Sequence, residues 1–308
     1  MDRAQAILIA GPTASGKSGL ALALAERLGG VVINADSMQV YRDLRILTAR
    51  PSPEDEARAP HALYGFVPGR DSYSAGRYMA DATQAITEAR AAGRVPIVVG
   101  GTGLYLKALL EGLSPIPAVP QAIREHWRAE ARRLGAAALH HVLNRRDPET
   151  AARLQPTDPQ RLARALEVLE ATGRPLAHWQ RERGQPGLDP EAAIRLVVAP
   201  PRDELHRRIE ARFEAMMAAG VLEEVEALVA RGYARDLPIM RAHGVRPLMR
   251  YLAGESEREA AVSQAMAETR QYAKRQMTWL IRNMIAWKWP NKKEMESIRR
   301  GNYSLIED

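Results

Sequence analysis

Over the first 110 residues, short apolar runs alternate with longer amphipathic stretches. Ala6 to Ala10, Val31 to Asn34 and Val95 to Val99 are strand-length runs, and Ser18 to Leu28 is an alanine- and leucine-rich helical stretch closed by Gly29-Gly30. Strands separated by helices predict a parallel sheet covered on its faces, with ligands gathered beyond the C-terminal strand ends. All three predicted strands end in chemically loaded residues: Gly11 to Ser18, Asp36-Ser37-Met38-Gln39, and Gly100-Gly101-Thr102-Gly103.

From about Pro115 to Gly187 the strand signals vanish, and Arg, Ala, Leu and Glu dominate between proline and glycine breaks. This region reads as helical. Its best-marked helix has Asp158 as N-cap before Pro159, Leu162, Ala165, Leu166 and Leu169 on one stripe, and Gly173 after its end. Ile194 to Val198 restores a strand. The expected architecture is therefore α/β, a P-loop NTPase-like parallel sheet core flanked by helices, discontinuous over 1–115 and 188–308, with an all-helical insertion over 116–187. Beyond the last strand, a helix from about Asp203 to Ala219 carries Leu205, Ile209, Phe213 and Met216 on one stripe and stops at Gly220. Met266, Ala273, Met277, Leu280 and Met284 mark an apolar seam on a further long helix, with Arg270, Lys274 and Arg275 off it. The segment after Asn291 shows no convincing pattern, and there is no internal repeat.

The first loaded strand end, Gly11-Pro12-Thr13-Ala14-Ser15-Gly16-Lys17-Ser18, has the G-x-x-x-x-G-K-S spacing between a strand and a helix. Backbone amides and a helix N-terminus there surround a polyphosphate, Lys17 supplies a point charge and Ser18 a magnesium ligand. A kinase, an NTPase and an enzyme that expels pyrophosphate all need this charge compensation. The other candidates each leave two readings open. Asp36 is a general base or water-mediated magnesium ligand, or else the acid of an Asx turn. Gly100 to Gly103 is a second phosphate cradle or a tight strand-to-helix turn. Arg212 forks onto a diphosphate or lies on a solvated helix face.

The chain has 308 residues and no cysteine, which excludes disulfides, thiol nucleophiles and cysteine-ligated zinc. Its seven histidines show no metal-ligand spacing. No apolar run approaches the ~18 residues of a membrane span, so neither signal peptide nor anchor is expected and the expected location is cytoplasmic. The net charge of +7 suggests a polyanionic partner, and residues 270–300 alone hold nine Lys/Arg against two Glu. Two clusters suit nucleic acid: Gln160, Arg161 and Arg164 within one turn, and Arg270, Gln271, Lys274 and Arg275 within two. Each is equally readable as a solvated charged face. Trp279, Trp287 and Trp289 stack bases or fill the core.

Five segments in this order resemble the tRNA dimethylallyltransferase (tRNA isopentenyltransferase) family: GPTASGKS at 11–18, INADSMQVY at 33–41, GGTGLYLKALLEGLSPIP at 100–117, DPQRLARALEV at 158–168 and TRQYAKRQMTWL at 269–280. The resemblance implies transfer of a dimethylallyl group from its diphosphate to the exocyclic amine of the adenine 3′-adjacent to a tRNA anticodon, with release of diphosphate. It implies Asp36 as general base, Thr102 and Arg212 on the diphosphate, and Lys17 with Mg2+ at Ser18 offsetting the leaving charge. It also implies tRNA contacts from Asp36, Ser37, Met38 and Gln39, from Gln160, Arg161, Leu162, Ala163 and Arg164, from the span 241–246 with Arg241 and Arg246, and from the span 270–277 with Arg270, Gln271, Lys274 and Arg275. Arg124 is implied near the reaction channel. The implied partners are the tRNA anticodon stem-loop and dimethylallyl diphosphate, and the implied state is a monomer. Residues 241–246 depart from the arginine, cysteine, valine, glycine, tyrosine, arginine form associated with many relatives. Two other readings of the residues are a P-loop small-molecule or nucleotide kinase, and a nucleotide-switched RNA-binding protein.

Overall fold

A computed structural model describes residues 5–301. In chain order the first half of the molecule runs β1 (Ala6–Ala10), α1 (Lys17–Leu28), β2 (Gly30–Asn34), α2 (Pro53–Arg58), β3 (His61–Ala62), α3 (Ala75–Ala91), β4 (Val95–Gly100) and α4 (Gly103–Glu111). The helices α5 (Gln121–Arg146), α6 (Pro148–Arg153), α7 (Pro159–Thr172) and α8 (Leu176–Trp179) follow. The chain then forms β5 (Ala193–Val197), α9 (Arg202–Ala218), α10 (Val221–Ala230), α11 (Val245–Leu252), α12 (Arg258–Asn283) and α13 (Lys292–Arg300). The described residues form two compact units, one from 5–110 with 187–301 and one from 111–186.

In the first unit the five strands form one parallel sheet in the order β3-β2-β4-β1-β5. Every residue of β1 is buried, as befits a central strand with helices on both faces. The period-two geometry of a strand divides its side chains between two cores. Ala6, Leu8 and Ala10 join Ile33, Val98 and Val197 beneath α3 and α4 on one face. Ile7 and Ile9 join Val32, Ile97, Val99 and Leu196 beneath α1 on the other. A third cluster packs Val40, Tyr41, Leu44 and Leu47 against Phe213, Met216, Val221, Val225, Val245 and Leu248 of α9, α10 and α11.

The stripe predicted for α9 is the buried one. Its predicted stop, Gly220, stands at φ 94° as the N-cap of α10, a conformation open to glycine at little steric cost. Three expectations change. The buried line of α12 is Ala261, Ala265, Thr269, Ala273, Gln276 and Leu280, whereas Met266 and Met277 are only half-buried. Small side chains let this helix approach the core closely, so the larger methionines stand at the margin of its buried line. The segment after Asn291 forms α13, opened by a capping box between Asn291 and Glu294, and its Ile298 is fully buried on the α1 face. β3 escapes the sequence pattern because it is only two residues long, paired through Val32 to His61 and Ile33 to Ala62. Trp287 is core, and Trp279 and Trp289 pack partly buried against the same cluster.

The second unit is entirely helical. Asp158 caps α7 by accepting from the Arg161 amide at 3.1 Å, and Gly173 ends it at φ 67°. α5 kinks at Gly135, whose φ of 76° and ψ of 168° break the helical geometry. Leu139 and Leu143 from beyond that kink pack with Leu162, Ala165, Leu166 and Val168. The Trp127 indole donates to Glu170 at 3.1 Å, and the Thr150 hydroxyl accepts from the Ala177 amide at 3.2 Å. Among the described residues no helix is long and apolar enough to cross a membrane.

Leu8 lies fully buried in the central strand. Leu8→Ala is expected to lower unfolding free energy by about 2–5 kcal/mol, the range for a core leucine cavity, measured by urea denaturation.

Candidate active site

The loop between β1 and α1 is held from several directions. Gly11 allows a close approach, since a Cβ there would lie 2.6 Å from the Val198 carbonyl. Ala14 and Gly16 both take positive φ, at 61° and 91°, which curls the chain so that the N-terminus of α1 faces an open cleft. The first-turn amides of a helix have no intrahelical acceptor, and the helix dipole makes that end attractive to anions. The cleft has a volume of about 340 Å³ and is lined by Thr13 to Ser18, Asp36, Gln39, Thr48, Ala49, Arg208 and Arg212. The structure thus brings six of the eight predicted loop residues to one space, with Gly11 and Pro12 forming the turn beneath.

Asp36 stands just past β2 and is fixed by its neighbour Asn34, which is fully buried. The Asn34 side chain accepts from the Asp36 amide at 2.8 Å and donates to the Asp36 and Leu63 carbonyls at 2.9 and 3.0 Å. One Asp36 carboxylate oxygen accepts from the Met38 amide at 2.9 Å. The Asx turn is therefore real, and it orients a carboxylate that also lines the cleft. The Ser37 backbone amide donates to the Thr102 hydroxyl at 2.9 Å, Met38 packs against the α9–α11 cluster, and the Gln39 side-chain amide donates to the Thr48 and Ala49 carbonyls.

Close packing accounts for the glycines of the run Gly100 to Gly103. A Cβ would lie 2.1 Å from the Ala35 carbonyl at Gly100, from the Gln276 side chain at Gly101 and from the Trp279 ring at Gly103. The Thr102 amide donates to the Ala35 carbonyl at 3.2 Å, so the turn reading applies, with the Thr102 hydroxyl on the Asp36 loop. Gln276 ties these parts together. Its amide donates to the Gly101 carbonyl, and its oxygen accepts from the Thr13 amide, both at 2.9 Å.

Three cations meet the loop. The Lys17 ammonium donates to the Pro12 carbonyl at 3.0 Å. Burial lowers its pKa to about 8, with the Asp36 carboxylate opposing that shift and Arg212 adding to it. Arg212 is half-buried rather than on a solvated face and donates to the Thr13 hydroxyl at 2.7 Å. Its pKa is lowered by burial and held up by Asp36. Arg208, one turn earlier on α9, donates to the Ser15 carbonyl at 2.8 Å. A carboxylate, a buried ammonium and a half-buried guanidinium in one cleft suit a reaction that takes a proton at one end and releases an anion at the other.

A second cleft of the same unit, of about 280 Å³, is lined by Arg241, Ala242, His243, Arg246, Glu268, Gln271 and Arg275. Four predicted RNA-contact residues converge there. Lys274 is exposed, and Arg270 is half-buried in an ion pair with Glu210 at 3.0 Å. His243 and Tyr272 rings are 4.5 Å apart, and burial, then Arg275, lowers the His243 pKa. In the helical unit Arg124 and Gln160 are exposed, and Arg161 is 75% exposed with Asp158 at 3.3 Å. Arg164 pairs with the buried Glu167 at 3.3 Å. Leu162 and Ala163 correct the expectation. Helical spacing turns both into the core, at 0% and 4% exposure, so their side chains present nothing to RNA. The sequence reading assigned no site role to Arg208, and held Tyr272 and Gln276 only as members of the RNA-contact span 270–277. The available signal was a glutamine on an otherwise apolar helical line, where a buried amide must find partners.

The family model described as IPP transferase matches residues 39–284, and that described as Isopentenyl transferase matches residues 4–60. A tRNA dimethylallyltransferase of Bradyrhizobium sp. (strain ORS 278) is 55% identical over 296 residues, covering 96% of each chain. The tRNA dimethylallyltransferase of Methylobacterium nodulans is 58% identical, covering 94% of this chain and 96% of its own. Among solved structures, the full-length tRNA isopentenylpyrophosphate transferase of Bacillus halodurans superposes with a TM-score of 0.68 at 34% identity, covering 98% of this chain and 96% of that one. A eukaryotic dimethylallyltransferase acting on tRNA gives a TM-score of 0.77 at 27% identity, over 89% of this chain and 69% of that one. Full-length identity of this order, with the phosphate-loop cleft already described, places the chain in the IPP transferase family of tRNA dimethylallyltransferases.

Proposed function

We propose that this protein transfers a dimethylallyl group from dimethylallyl diphosphate to the exocyclic amine of the adenine 3′-adjacent to the anticodon of a tRNA, releasing diphosphate. It is a prenyl-transferring enzyme of tRNA modification. The observation that supports the finer reading is one cleft holding Asp36 together with Lys17, Arg212 and the phosphate loop.

The exocyclic amine of adenine is a poor nucleophile, so its proton must leave as the new bond forms. In this scheme the amine nitrogen bonds to the terminal allylic carbon, that carbon's bond to the diphosphate oxygen breaks, and Asp36 takes the proton. Its Asx turn holds one oxygen on the Met38 amide and leaves the other as the base. Negative charge grows on the departing diphosphate. Lys17, Arg212 and the loop amides meet it without rearranging, which is the strongest form of electrostatic stabilisation. Arg212 reaches Thr13 at 2.7 Å, so its guanidinium is already placed over the loop.

Magnesium fits this cleft as a companion of the diphosphate. Ser18 and Asp36 offer hard oxygen donors there, and among the described residues no three or more His, Cys, Asp or Glu gather into a cage of their own. Such a site suits an ion that keeps waters and shares substrate phosphates. Ser18 would hold it, and it would neutralise charge on the leaving group. For the RNA, the cleft of Arg241, Arg246, Gln271 and Arg275 and the exposed Gln160, Arg161 and Arg124 supply phosphate and sugar contacts. The target adenine has to leave its stack to reach Asp36.

Unmodified tRNA incubated with the protein, magnesium and dimethylallyl diphosphate is expected to yield a prenylated adenosine by nucleoside mass spectrometry, and none with ATP in its place. ATP consumption without modified nucleoside would overturn the reading. Asp36→Asn is expected to cut single-turnover transfer by about 10²–10⁴-fold, the usual contribution of a general base, with tRNA affinity retained in a filter-binding assay. Because protonated Lys17 favours the diphosphate, affinity for inorganic pyrophosphate should weaken relative to Lys17→Met as pH rises through about 8. Calorimetric titration across that range checks the sign. Arg161→Ala is expected to weaken tRNA binding and lower its logarithmic salt slope by about 1, with no change toward the diphosphate.

A further inference from the structure

One wall of the phosphate-loop cleft is the turn at 45–49, whose Thr48 and Ala49 line the same space as Lys17, Asp36 and Arg212. The turn closes on itself, with the Ala49 amide on the Ile46 carbonyl at 2.9 Å and the Arg50 amide on the Arg45 carbonyl at 3.0 Å. Ala49 takes φ 52° to do so, a left-handed conformation that a residue other than glycine keeps only where its surroundings impose it. Much of that surrounding comes from α10. One Glu224 carboxylate oxygen accepts from the Arg45 and Ile46 backbone amides at 2.5 and 2.8 Å, and the other accepts from the Leu47 amide at 2.9 Å. Val221 and Val225 of the same helix pack with Leu44 and Leu47 in one buried cluster. At the far end of the turn the Gln39 side chain holds the Thr48 and Ala49 carbonyls.

Three successive backbone amides aimed at one point make a nest for an anion, and here the protein fills the nest with its own carboxylate. Hydrogen bonds to an ionised acceptor are stronger than neutral ones, and these three bind the residues that immediately precede Thr48. The carboxylate therefore fixes the point from which the cleft wall departs. Glu224 is not among the residues that line the cleft. We infer that Glu224 is a positioning residue for the diphosphate, holding the 45–49 turn so that Thr48 and Ala49 bound the cleft at the phosphate loop. Its own charge has the wrong sign to attract the ligand, so what it contributes to diphosphate binding comes through the turn.

This inference rests on the reading of the cleft as the dimethylallyl diphosphate site, and inorganic pyrophosphate separates the two. Full-length wild-type protein, Glu224→Gln and Val225→Ala are titrated with pyrophosphate and magnesium by calorimetry and compared in steady-state transfer to tRNA. Glu224→Gln keeps the size of the side chain and removes a negative charge. Electrostatics alone would then tighten the binding of an anion, whereas a loosened turn weakens it. Glu224→Gln is expected to weaken pyrophosphate affinity and to raise KM for dimethylallyl diphosphate about tenfold, the effect of losing a hydrogen bond to a charged group. Its kcat and tRNA affinity should stay at wild-type values, with faster amide hydrogen exchange confined to the peptide spanning 44–50. Val225→Ala opens a cavity in the same cluster, so it reports the effect of lost stability alone and should bind pyrophosphate as the wild type does. If Glu224→Gln does not fold, Glu224→Asp, which keeps the charge and withdraws the carboxylate by one methylene, is expected to show the same weakening in smaller measure. Unchanged or tighter pyrophosphate binding by the Glu224 variant, or equal weakening by Val225→Ala, overturns the positioning role alone. Failure of the wild-type protein to prenylate tRNA overturns the reading beneath it as well.

Discussion

The placement of the site depends on one buried side-chain amide. Gln276 reaches from α12 to the phosphate loop and to the turn after β4, with its oxygen on Thr13 and its nitrogen on Gly101. Only 6% of it is exposed, so neither half of the amide has water as an alternative. A buried polar group left without its partner costs more than the bond contributes when made, and the three segments are locked to one another for that reason. Gly101 is glycine because the amide occupies the space of a Cβ. Asn34 does the same on the next strand, fixing the backbone of Asp36 from both sides.

On this polar frame sits an electrostatic arrangement unfavourable to the isolated protein. Lys17 and Arg212 are both discouraged from carrying charge by burial, and Lys17 is further discouraged by Arg212. Asp36 opposes the shift of each. An arriving anion relieves a conflict already present, and the charges need not reorganise to meet it. Such a site works against the stability of its fold, as functional sites commonly do.

The sheet was largely legible because buried parallel strands are uninterrupted apolar runs, and Ala6 to Ala10 and Val95 to Val99 are of this kind. The phosphate loop was legible because its backbone geometry demands glycine at fixed intervals. What escaped was carried by tertiary contact. His61-Ala62 is a strand only through pairing with Val32 and Ile33. The inner face of α12 is made of alanine, threonine and glutamine because close approach there rewards small or hydrogen-bonded groups over methionine. Leu162 and Ala163 fall inside a segment that otherwise faces outward, and only the helical period separates them from Gln160 and Arg161. α13 hides its signal in two apolar residues, Met295 and Ile298, behind a capping box of asparagine and glutamate.

The position of β5 beside β1 has a consequence for how the molecule comes into being. Leu8 pairs with Arg195 and Ile9 with Leu196, so the first strand made waits for a partner nearly two hundred residues downstream, and the α1 face closes only when Ile298 arrives. The helical unit at 111–186, by contrast, is continuous in sequence. Contacts that close long loops form late, whereas local helical contacts form early. During synthesis, which proceeds from the N-terminus, the helical unit has all its residues clear of the ribosome while the sheet around its two ends still lacks an edge strand and a covering helix. The guest of this fold is therefore complete before its host.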